Sequence, residues 1–95
     1  MPQRNRNLFS LGSLVATRGA LAALEESEEV PLAFLARHAS GDWGELGSED
    51  KRANDRALRS GERIFSAYRT GKGEKLWIIT EADRSSTCIL LPEEY

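Results

Sequence analysis

The spacing of apolar residues changes once along this chain, and that change limits its possible folds more than any other feature. Before Gly61, apolar residues recur every three or four positions, most clearly over 31–39, a spacing typical of amphipathic helices. From Arg63 onwards they alternate or form short runs, as strands do. Because 95 residues suffice for one hydrophobic core, we predict a single α+β domain.

Capping and turn residues predict where its elements lie. Thr17 can cap a helix over about 18–26, and Pro31 suits the first turn of a second helix. Ser48 and Gly61 suit the start and end of a third. Strands are expected at 63–69, 76–80 and 87–91, with an edge strand at 14–16. The prediction is N-terminal helices followed by a three- or four-stranded antiparallel sheet, with 1–7 as a flexible N-terminus and 8–95 as the domain.

Composition excludes several classes of function. The net charge is −2, so any nucleic-acid contact must come from a local basic patch. The only cysteine, Cys88, rules out an internal disulfide and favours the reducing cytosol. One His and one Cys are too few for a typical structural zinc site, and we expect neither a metal nor a cofactor. No apolar run is long enough to cross a bilayer, so no membrane partner is expected.

Several segments resemble a family of small bacterial proteins that is often encoded on plasmids, prophages and genomic islands. The segments that carry it are 14–17, 37–44, 77–87 and 89–95, and the resemblance extends over nearly the whole chain. This resemblance implies a mobile-element setting but no established activity. The order of helices followed by a small antiparallel sheet is also similar to the barnase and RelE class of metal-independent ribonucleases.

His38 is the first candidate catalytic residue, because its ordinary pKa lies closest to neutrality. It falls at the end of the second predicted helix, where the helix dipole favours the charged imidazole. The structural alternative is a histidine that caps helix carbonyls at the same position.

The turn between the last two predicted strands is the densest polar cluster. Arg84 could bind a phosphate or carboxylate, with Ser85 and Thr87 as hydroxyl donors. Glu81 or Asp83 could act as a base. The alternative is a hairpin turn whose acidic residue simply pairs with Arg84.

Two further regions could contribute to binding. Trp43 and Asp42 lie in a glycine-flanked loop, where the tryptophan could instead close the end of the core. The window 51–75 holds eight basic residues against three acidic ones, so it could contact a phosphate backbone. Arg63 and Tyr68 belong to that window. The alternative is a solvated helix face with surface strands.

These features support three hypotheses. The first is an accessory module that binds a protein or nucleic acid without catalysis. The second is a metal-independent ribonuclease, and the third is an inhibitor of host restriction in which the acidic segment 25–29 imitates DNA phosphates. The ribonuclease would use His38 or Glu81 as the base, Arg63 and Arg84 at the phosphate, and Tyr68 or Thr87 in support.

Overall fold

A four-stranded mixed sheet with three helices packed on one of its faces makes up the described part of the chain, residues 7–95 of a computed structural model. In chain order the elements are β1 (Ser13–Ala16), α1 (Arg18–Glu26), α2 (Pro31–Ala39), α3 (Ser48–Ser60), β2 (Ile64–Arg69), β3 (Lys75–Thr80), β4 (Ser86–Leu90) and a 3₁₀ turn (Pro92–Glu94). The α+β class is confirmed. The flexible N-terminus predicted for 1–7 falls, apart from residue 7, outside the described residues.

The direction of β1 corrects the predicted topology. The sheet order is β1-β4-β3-β2, and β2, β3 and β4 form the expected antiparallel meander. β1 lies beside β4 in parallel, with Val15 opposite Cys88. The prediction of a purely antiparallel sheet is therefore wrong, as is the prediction that all helices precede the strands. A short apolar run contains no signal for the direction of a partner far along the chain.

The capping residues explain the helix ends. The Thr17 hydroxyl oxygen accepts a hydrogen bond from the Ala20 amide at 3.2 Å, as predicted. The Glu94 carboxylate accepts from the Gly19 amide at 3.0 Å and from the Thr17 hydroxyl, so it docks the 3₁₀ turn against α1. At the third helix, Gly47 rather than Ser48 is the N-cap residue. No helix in the described chain is long and apolar enough to span a membrane.

Alternation along the strands separates the two faces of the sheet. In β2, Ile64, Ser66 and Tyr68 are buried towards the helices, whereas Phe65 and Ala67 are half-buried on the other side. Helix residues such as Leu24 and Phe34 pack with Tyr68 in the main core. The face opposite the helices is called the open face below.

The loop before α3 covers the outer edge of β2. The Ala67 amide donates to the Trp43 carbonyl at 3.2 Å, and the Glu45 amide donates to the Ala67 carbonyl at 2.7 Å. Gly44 lies between these bonds with φ +77° and forms an isolated parallel bridge with Ala67. A glycine is required here because a Cβ atom would lie only 2.0 Å from the Ala67 carbonyl oxygen.

Candidate functional site

His38 lies inside the protein between α2 and the sheet, with 0% of its surface exposed. Burial lowers the pKa of His38 from 6.5 to about 4, so the imidazole is neutral at pH 7. The helix dipole was expected to favour the charged ring, but the burial of His38 favours the neutral one. The ring does not cap carbonyls either, since both of its nitrogens contact strand hydroxyls.

A chain of buried hydrogen bonds determines the tautomer of His38. The Thr87 hydroxyl donates to the Leu11 carbonyl at 2.7 Å, and its oxygen accepts from the Thr80 hydroxyl at 2.7 Å. Thr80 has then used its only proton, so its oxygen accepts from His38 Nε2 at 2.9 Å. His38 Nδ1 accepts from the Ser66 hydroxyl at 2.5 Å. Every polar side-chain atom in this series of hydrogen bonds has a partner, which is the usual condition for polar groups in a core.

The Arg84 guanidinium donates hydrogen bonds to carbonyl groups in three separate segments of backbone. Its Nη2 donates to the Ala57 carbonyl at 2.9 Å, in the last turns of α3, and its Nη1 donates to the Glu62 carbonyl at 2.7 Å. Nη1 also lies within hydrogen-bonding distance of the Glu81 and Ala82 carbonyls. The guanidinium therefore holds the end of α3 against the β3–β4 turn, a favourable place for a cation.

Trp43, Asp42 and Tyr68 also take part in internal contacts. Trp43 is only 5% exposed, and its indole N–H donates to Asp55 at 3.1 Å. Asp42 accepts from the Gly44 amide and pairs with Arg37 at 2.7 Å. The Tyr68 hydroxyl donates to the Asp42 carbonyl at 2.6 Å, and burial raises the pKa of Tyr68 to about 12. The burial of Trp43 in a core cluster matches the structural alternative considered for it.

Two of the candidate residues, Asp83 and Ser85, lie together in the β3–β4 turn. The Asp83 carboxylate accepts from the Ser85 amide at 3.0 Å, and hydrogen bonding from Ser85 lowers the pKa of Asp83. Thr87, by contrast, is fully buried and belongs to the series of hydrogen bonds that runs from Ser66 to the Leu11 carbonyl. Of the residues assigned to the ribonuclease hypothesis, Arg63 and Glu81 meet through their side chains, at 3.3 Å.

Three aromatic rings lie side by side on the open face; we call them the aromatic platform. Phe65 and Trp77 meet edge to face with ring centres 5.1 Å apart, and Trp77 and Tyr95 do the same at 5.8 Å. Phe65 and Trp77 are half-buried, and Tyr95 is 72% exposed. Part of the surface of these rings is therefore exposed to solvent.

Two recesses meet at the Phe65–Trp77 pair. One, of about 240 Å³, is lined by Arg63, Phe65, Trp77, Ile79 and Tyr95. The other, of about 360 Å³, is bordered by the charged residues Glu45, Arg69 and Lys75.

The charges on this face are partly paired. Arg69 Nε donates to Glu45 at 3.0 Å, while Arg63 bridges Glu81 at 3.3 Å and the Tyr95 hydroxyl at 3.1 Å. The platform thus has a cationic residue at each end.

The residues predicted from the sequence do not include Phe65, Trp77 or Tyr95, although the sequence contains a signal for this surface. The segment 76–80 is apolar on both faces, while the helices cover only one. An apolar strand face that no helix covers is a candidate binding surface.

Comparisons of the chain with protein-family models, with curated proteins and with solved structures gave no match. Among residues 7–95, no group of three or more His, Cys, Asp or Glu side chains is arranged to hold a metal ion.

Proposed function

We propose that this protein binds single-stranded nucleic acid on the open face of its sheet. The observation that carries the proposal is the aromatic platform, with Arg63 at one end and the Arg69–Lys75 pair at the other. Bases stack on aromatic rings while basic side chains hold the phosphates of the same strand. The acidic total charge does not oppose this, because the contacts are local.

The platform suits a single strand better than a duplex. In a duplex the base faces are stacked on each other and cannot reach Phe65, Trp77 or Tyr95. An unpaired strand can turn its bases towards the sheet, and the two recesses beside the Phe65–Trp77 pair provide room for them. The satisfied hydrogen bonds of His38 and Arg84 favour structural roles for these two residues.

Replacing Tyr95 tests the proposal, because this ring is exposed and its removal leaves the core intact. Tyr95→Ala is expected to weaken binding of a labelled single-stranded oligonucleotide roughly 5- to 150-fold, the range for losing one base–aromatic stack. Fluorescence anisotropy at low salt measures the affinity. Tyr95→Phe keeps the ring and should bind nearly as well as wild type.

Leu32→Ala provides a control on the helical side, where Leu32 is 67% exposed. It should leave affinity unchanged. Equal binding by wild type and Tyr95→Ala would show that the platform is not the contact surface. Failure of the wild type to bind RNA or DNA oligonucleotides at low salt would remove the proposal altogether.

A metal-independent ribonuclease is the second candidate, favoured by the contacts of Arg63. Its guanidinium touches a carboxylate, Glu81, and a phenol, Tyr95, beside a recess. A base, a cation for the phosphate and a proton donor are the groups that phosphodiester cleavage needs without a metal.

If this second candidate is correct, Arg63→Ala and Glu81→Gln should each reduce RNA cleavage in EDTA by about 10²-fold or more. His38→Gln, provided that it remains folded, should cleave like wild type because His38 lies in the core. Gel analysis of a labelled RNA measures the rate. Unchanged cleavage by the Arg63 and Glu81 variants would exclude this site, and inactive wild type would leave a binding module.

The inhibitor hypothesis has less support. The Glu29 carboxylate accepts from the Gly71 amide at 2.8 Å, which attaches part of the acidic segment to the β2–β3 turn beside Lys72. The plasmid or prophage setting and a protein partner stay predictions.

A further inference from the structure

Each arginine that flanks the aromatic platform is paired with a glutamate. Arg63 lies 3.3 Å from Glu81, and Arg69 lies 3.0 Å from Glu45. All four side chains are about half exposed, so a ligand can reach each pair from solvent. Exposed pairs of this type are weak, typically roughly 0.2–1 kcal/mol, and a stronger anion can replace the carboxylate.

The two pairs lie at opposite ends of the platform. Arg63 immediately precedes β2 and Arg69 ends it, with Phe65 and Ala67 between them on the same face. Six residues of extended chain span about 20 Å. One phosphate cannot contact both arginines, so a strand that covers the platform has to place separate phosphates at the two ends.

The two ends differ in local charge. Lys75 lies opposite Arg69 in the β2–β3 register, so this end stays positive even when Glu45 is paired. At the other end, Glu81 balances the charge of Arg63, and the Tyr95 hydroxyl accepts a further bond from the same guanidinium. The Arg69–Lys75 end is therefore the stronger anchor in the free protein.

We propose that Glu45 and Glu81 compete with the phosphates of a bound strand for the two arginines. This competition sets the affinity of the site and its dependence on oligonucleotide length, an inference that rests on the proposed nucleic-acid binding. Phosphate binding at either end requires the glutamate to release its arginine. A guanidinium can bind phosphate through two parallel hydrogen bonds, which favours the exchange. A short oligonucleotide gains only the Arg69–Lys75 contact, and a longer strand also opens the Arg63–Glu81 pair.

The test measures oligonucleotide binding by Glu45→Gln, Glu81→Gln and the double variant. Each single substitution is expected to tighten binding of a long single strand about 1.4- to 5-fold at low salt, the worth of one exposed pair. The gains should multiply in the double variant, because sites that far apart act independently. They should shrink at high salt. With a dinucleotide, only Glu45→Gln should have an effect.

Glu26→Gln is the matched control, because Glu26 is an exposed residue at the end of α1 on the helical side. It changes the net charge by the same amount and should leave binding unchanged. If Glu26→Gln tightens oligonucleotide binding equally, the effect comes from net charge alone, and the inference is overturned. Wild-type binding that neither open-face variant improves would also overturn it. Absence of binding by wild type and by all variants would instead overturn the proposed function on which the inference rests.

Discussion

Gly44→Ala is expected to lower the free energy of unfolding by about 3 kcal/mol or more. The new methyl group would lie 2.0 Å from the Ala67 carbonyl oxygen and 2.7 Å from the Tyr68 ring. An L-residue in the left-handed conformation costs about 1–2 kcal/mol, and overpacking adds about 1–3 kcal/mol. Relief of the clash would separate the loop from β2, and both backbone hydrogen bonds to Ala67 would be lost.

Gly73→Ala is the matched control for this effect. Gly73 also has a positive φ, +88°, but a Cβ atom there meets no described atom within 4 Å. Only the conformational cost of about 1–2 kcal/mol should appear. Urea denaturation followed by circular dichroism measures both variants. If the two alanines destabilise the protein equally, the close approach of Gly44 to Ala67 contributes nothing to stability.

Acid should destabilise the folded protein through His38 before the carboxylates take effect. The pKa of His38 is about 4 in the folded state and near 6.5 in the unfolded chain. Between these values the unfolded state binds more protons, so this contribution is complete above pH 6.5 and declines as the pH falls towards 4. The lowering of the pKa corresponds to about 3 kcal/mol at 1.36 kcal/mol per unit.

Two measurements check this prediction. Urea denaturation at a series of pH values should show wild-type stability falling between pH 6.5 and 5, where His38→Gln, although less stable, should change little. Because the chain contains one histidine, its NMR titration has no overlapping signals and should reveal the Nε2–H tautomer. A midpoint near 6.5 would contradict the buried, neutral imidazole.

Local signals predicted the elements of the fold well. Thr17 caps α1, Pro31 begins α2, and Gly61 ends α3 with φ +77°, all as expected from the sequence. The alternation expected from Arg63 onwards also occurs in β2. Each of these features depends on residues within a few positions of one another, which is why the sequence alone contains the information.

The site was harder to predict because its residues act through distant contacts. Arg84 was a good phosphate candidate by residue type, yet its guanidinium reaches the Ala57 carbonyl, which is 27 positions away. His38 pairs with Ser66 and Thr80 across the core. Arg63 and Glu81, which were both assigned to the ribonuclease hypothesis, do meet on the open face. Tyr95, which also contacts Arg63, was not among the predicted residues.

The parallel pairing of β1 with β4 has a consequence for synthesis on the ribosome. β1 is made first, but the strand that hydrogen-bonds to it is made last; the Leu11–Thr87 bond beside this pair joins residues 76 positions apart. Closing a loop of that length costs entropy that only the later contacts repay. The meander β2–β4 is built from neighbouring segments, whereas the four-stranded sheet requires the whole segment 13–90 to have emerged.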